Sequence, residues 1–198
     1  MAVRTRSYEA AADADAILDT RLVAMGTWLF LAADTFFFAA WYFAFFYLRA
    51  LDNNQSWRAQ GVGPPSKGYG TTVLVLAIGM AFSYLIASGR PARTLWFRIF
   101  TPMALVYAIA TCLFQGYEMW HLGFGLTQGG YPSIFAGLSG AWLIQVAFAT
   151  AWLATIVTQA RPNGDTLARR QPASSFGWIL LFLAAIGVVN YILLYFVA

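Results

Sequence analysis

Few side chains in this sequence could do chemistry, and their setting says more than their number. Asp34 is the one acidic or basic residue in an otherwise uncharged apolar stretch from Leu22 to Leu48. A carboxylate near the middle of a bilayer costs roughly 2.5–3.5 kcal/mol on insertion scales, so it faces a protein interior or a hydrated cavity rather than lipid. Gln115, Glu118 and His121 recur three residues apart and therefore share one face of a helix. Glu118 and His121 also have the i, i+3 spacing of half a carboxylate–histidine metal site. The other half needs more His, Glu or Cys at the same depth, and the chain has one histidine and one cysteine. A hydrogen-bonding cap on a helix end is the reading these three residues favour. Bis-histidine haem ligation lacks its second histidine; the count leaves a His121–Met pair open, with Met119 or another Met, though nothing in the spacing sets the two on opposite sides of a macrocycle. Cys112 has no partner for a disulfide and reads as a small core residue. There is no nucleophile–base arrangement, no phosphate loop and no basic track for nucleic acid, so these residues assign no catalytic, cofactor-binding or metal site.

The elements that must position Asp34 and Glu118 follow from the charge pattern. Hydrophobic residues make up 60% of the chain and charged residues 10%, with a mean hydropathy of +0.63, outside the soluble globular range. Besides the Asp34 stretch, four segments carry no Asp, Glu, Lys or Arg: Gly68–Gly89, Ile99–Tyr117, Met119–Ala160 and Gln171–Ala198. At about 20 residues per crossing, they predict an all-α polytopic membrane bundle of five transmembrane helices. The spans fall near 22–48, 71–88, 97–118, 133–158 and 176–197, in one membrane domain over 21–198. Residues 1–20 have no apolar core of the kind a cleavable signal needs; they read as a cytoplasmic lead-in, with room for a short surface helix.

Basic residues set the orientation. Arg4, Arg6, Arg21, Arg90, Arg93, Arg98, Arg161, Arg169 and Arg170 fall on one side, and only Arg49, Arg58 and Lys67 on the other. By the positive-inside rule the N-terminus is cytoplasmic and the C-terminus external. Gly- and Pro-rich loops connect the spans: Asn53–Gly70 and Gly123–Pro132 outside, Ser88–Pro91 and Arg161–Asp165 inside. Trp57, Trp96, Trp120, Tyr191 and Tyr195 fit an interfacial belt. The dense Phe, Trp and Tyr content of the first span is either lipid-facing filler or a protein–protein seam.

With those residues placed, the chain resembles subunit III of the haem-copper respiratory oxidases, in its short five-helix bacterial form. Gly26-Thr27-Trp28-Leu29-Phe30-Leu31-Ala32-Ala33-Asp34-Thr35-Phe36-Phe37-Phe38-Ala39 looks like the family segment G-x-W-L-F-x-A-S-E-x-x-F-F-A, and Phe46-Tyr47-Leu48-Arg49 like its ending. Gly63-Pro64-Pro65 fits the family's entry to the next helix. Gln115–Leu122 resembles its Q-x-x-E-x-x-x-L helix end, and Gly130–Phe135 the turn that follows. The likeness covers most of residues 21–158 and has three departures. Asp34 stands where the family has glutamate. Trp142 and Gln145 stand where the histidines of T-G-x-H-G-x-H-V would fall. The W-x-x-H-F-x-D opening of the last helix is missing from Phe176–Ala198.

The resemblance implies an accessory subunit without a redox centre, in a bacterial plasma membrane. It would pack on the catalytic haem-copper subunit I and on subunit II, which hold the haem and copper, bind phospholipid in a cleft, and support proton uptake. Asp34 would be a buried acid that tunes proton entry, or one that only bonds a neighbouring helix. A subunit III relative in a quinol oxidase or nitric oxide reductase fits the same residues. A small proton-coupled transporter built on Asp34 is the reading from another class; it lacks an internal repeat and a second mid-depth charge.

Overall fold

The computed structural model describes residues 2–52, 56–58, 61–90, 94–159 and 167–197, of which 2–20, 159 and 167–174 as backbone only. The helices are α1 (Ala2–Ala50), α2 (Lys67–Ser88), α3 (Leu95–Trp120), α4 (Gly130–Gln159) and α5 (Leu167–Ile192), and α5 runs on into a π-helical turn, Leu193–Val197. Each contains a segment long and apolar enough to cross a membrane: Arg21–Ala50, Lys67–Ser88, Leu95–Trp120, Gly130–Thr158 and Ser175–Val197. The five predicted spans are therefore all present, with ends that differ from the predicted ones by no more than four residues. The lead-in differs from expectation. It is no separate surface helix, because α1 continues unbroken from Ala2 through the first span. The loop residues Asn53, Asn54, Pro91 and Arg161–Asp165 lie outside the described residues.

Local sequence explains most helix ends. Thr94 caps α3, its side chain accepting from the Phe97 N–H, and Gly89 follows the last residue of α2. The start of α4 is held by the preceding loop instead. The carbonyls of Ser56 and Trp57 accept from the N–H groups of Gly130 and Tyr131 at 3.0 and 2.9 Å, satisfying two donors that a helix start leaves over. Gly129 permits this, at φ +129°; a Cβ there would lie 2.9 Å from the Trp57 carbonyl oxygen. Trp57 is consequently 5% exposed, packed edge-on against Phe45 and Tyr131. Trp57 and Tyr195, read from the sequence as belt residues, are buried in the core, whereas Trp120 is 86% exposed.

The helices alternate in direction and differ in what they touch. α2 packs most closely on α3 and then on α5, α3 on α4, and α1 on α5 and α4. α5 is thus the common neighbour of α1, α2 and α4. Buried positions on α1 are Leu31, Asp34, Phe38 and Phe45, an alternation of three and four residues that draws one seam along the helix. The aromatic cluster divides along it. Phe38 and Phe45 face the bundle, while Trp28, Phe36 and Phe43 face outward. Glycines allow the tightest approaches, as small residues do between membrane helices. A Cβ on Gly137 would sit 2.5 Å from the Trp41 ring, and one on Gly187 3.1 Å from the Trp142 ring.

Candidate functional site

Asp34 lies on the inner seam of α1 and is 7% exposed. Its partner comes from α4: the Gln145 amide N–H donates to Asp34 Oδ1 at 2.5 Å. Asp34 Oδ2 and Gln145 Oε1 are both buried and have no hydrogen-bond partner among the described residues. An ionised carboxylate is acceptor-only, so the pair has two acceptor atoms to spare and is short of a donor. A proton at Asp34 Oδ2 supplies that donor. The arrangement can therefore hold one proton at mid-span, at a point where an apolar groove reaches the same amide.

That groove, of about 550 Å³, runs between α1, α4 and α5 toward the arginine-bearing end of the bundle. Gly26, Phe30, Phe148, Trp152 and Ile179 line it, and Gln145 closes its inner wall. Its size and apolar character suit a hydrocarbon chain.

The second predicted cluster forms in part. Glu118 is 3% exposed and Gln115 6%, and the Gln115 amide donates to Glu118 Oε2 at 3.4 Å. Glu118 Oε1 accepts from the hydroxyl of Tyr195. Tyr195 stands on the π-helical turn at the end of α5, where the Leu194 carbonyl in turn accepts from Tyr131 at 2.9 Å. His121 does not join them. It ends α3 as the C-cap residue, with Nδ1 3.0 Å from the Tyr117 carbonyl and its ring against Tyr117. The expected helix-end cap is thus two separate things: a buried joint of Gln115 and Glu118, and an exposed cap made by His121. Cys112 is half-buried, with its sulfur 3.6 Å from the Thr150 hydroxyl.

Three hydrogen-bonding neighbours are not given by spacing. Gln145 was legible only as an amide in place of a family histidine. Tyr195 lies 77 residues from Glu118 in sequence, and nothing local links them. Asn190, buried on α5, accepts at Oδ1 from the Tyr42 hydroxyl at 3.0 Å. Its only signal is an amide in an apolar helix, where polar groups seek partners on neighbouring helices. No protein-family model matches the chain, and no curated protein matches it significantly.

Proposed function

We propose that this chain is an accessory, non-redox subunit III of a haem-copper terminal oxidase in a bacterial plasma membrane. In this reading it packs on the catalytic subunit, holds lipid and supports proton uptake. One observation carries the proposal. Asp34 and Gln145, two of the places where the sequence departs from the subunit III pattern, are hydrogen-bonded to each other. An aspartate in place of a glutamate and an amide in place of a histidine make sense together as one re-matched pair. The five spans and the buried Gln115–Glu118 helix end support the same reading, and the groove beside Gln145 gives an acyl chain a place to lie. The chain's own residues supply a proton-holding acid and a packing surface; haem and copper belong to the partner subunits.

The test is purification of the full chain from its native membrane under mild detergent. The expected result is a co-purifying large subunit with haem absorbance, and no haem or copper on this chain once separated. Haem or copper retained by the isolated chain overturns the assignment. So does proton or solute transport by the chain alone in liposomes. Within the intact complex, Asp34→Asn is expected to leave assembly intact and shorten the period of sustained turnover. Unchanged turnover and unchanged durability would remove the proton-support role.

A further inference from the structure

A small, partly open cavity of about 30 Å³ lies between α2, α3, α4 and α5, away from the groove. Its polar lining includes Gln115 on α3, Ser139 on α4, Asn190 and Tyr191 on α5, and Tyr195 on the turn that follows. Gln115, Ser139, Asn190 and Tyr195 are each more than nine-tenths buried. Asn190 uses its oxygen on Tyr42, while its Nδ2 is buried with no partner among the described residues. A buried amide N–H left unpaired costs about 1–3 kcal/mol. A water needs roughly 10–15 Å³ of such space and two to four polar partners. The cavity is large enough for one or two waters and too small for an organic ligand.

We infer that this cavity is a resident water site joining Asn190 on α5 to Gln115 on α3 and Ser139 on α4. The water accepts from Asn190 Nδ2 and donates to the oxygens of Gln115 and Ser139. One consequence is a continuous polar crossing of the bundle. Tyr42 on α1 donates to Asn190, Asn190 to the water, the water to Gln115, and Gln115 to Glu118, which Tyr195 meets from its other side. Every donor along this line points toward Glu118, so the bonds polarise one another in the same sense. Four of the five helices are thereby tied through one exchangeable molecule. This inference stands apart from the assignment of the chain to an oxidase.

The test is hydroxyl-radical labelling by X-ray pulses on the full chain in lipid nanodiscs, in ¹⁸O water. Trp142 lines the cavity and is 3% exposed. Tyr84, fully buried elsewhere, is the control. Trp142 is expected to take up ¹⁸O while Tyr84 does not; Trp142 labelled no more than Tyr84 overturns the site. In Asn190→Leu the Trp142 label is expected to fall to the Tyr84 level, and an undiminished label overturns the assignment of Asn190. Ser139→Val and Asn190→Leu should each lower the melting temperature, and the double variant should lower it by less than the sum. Strict additivity would show that no shared water couples them. Should either variant fail to fold, wild-type labelling alone decides.

Discussion

Glu118 and Asp34 are both carboxylates buried in apolar helices, yet they are accommodated in different ways. Glu118 lies near the end of α3 with both oxygens engaged, by Gln115 three residues away and by Tyr195 from the far end of the chain. Asp34 lies at mid-span with one oxygen engaged, while its other oxygen and that of its partner are left over. A fully satisfied polar group in a low-dielectric interior rigidifies its neighbours, and a partly satisfied one remains open to exchange. The first arrangement is a joint that locks α3 to α5. The second has room for a proton and sits beside a groove.

The largest expected effect breaks the joint. Glu118→Leu strands the Tyr195 hydroxyl and the Gln115 amide, and should cost roughly 2–4 kcal/mol in reversible unfolding from mixed micelles. Glu118→Gln keeps an acceptor and should cost about 1 kcal/mol. Next come the glycines that let each site close. Gly70→Ala sets a methyl 2.6 Å from the Tyr195 ring, and Gly137→Ala sets one 2.5 Å from the Trp41 ring. Overpacking of this kind costs roughly 1–3 kcal/mol. Crosslinking should show the first loosening α2 from α5 and the second loosening α1 from α4. Third, Gln145→Leu leaves Asp34 buried without its partner and should cost about 1–3 kcal/mol. Asp34→Asn brings its own N–H to the pair and should be near neutral, within about 1 kcal/mol, in the same measurement. If Asp34→Asn proves as damaging as Glu118→Leu, the contrast between the two sites is wrong. Smallest in stability is Gly26→Phe. A Cβ there meets nothing within 4 Å, so the ring enters the groove; stability should move by less than about 0.5 kcal/mol, while lipid retained through purification, read by mass spectrometry, falls.

Much of this was legible in the sequence because membrane spans are written in local composition. Uncharged length and the placement of arginines give five helices without reference to any contact. The burial of Asp34 was equally legible, since the cost of a charge in lipid leaves few alternatives. Gln115 and Glu118 could be placed on one face because helical periodicity is itself local. What local spacing cannot carry is which distant side chain answers a buried one. Gln145, Asn190 and Tyr195 are each on a helix far along the chain from the residue they serve. Trp57 shows the same limit. A tryptophan in a loop reads as an interfacial anchor, and only the docking of that loop on the first turn of α4 takes it inside. His121 shows the reverse, since its position fits a shared face until the helix ends one residue earlier.

The placement of α1 bears on how the chain is made. Of the five helices α1 is made before the others, but its seat is built from α4 and α5, with no comparable contact to α2 or α3. At roughly 5–20 residues per second, Gln145 follows Asp34 by a delay on the order of ten seconds. Through that interval the acid is in the membrane without its partner amide, and the first loop has no α4 start on which to dock. Newly inserted α1 therefore lacks its seat until α4 and α5 have followed it. A nascent chain stopped before α4 would present Asp34 as an unmatched polar mark of an unfinished protein.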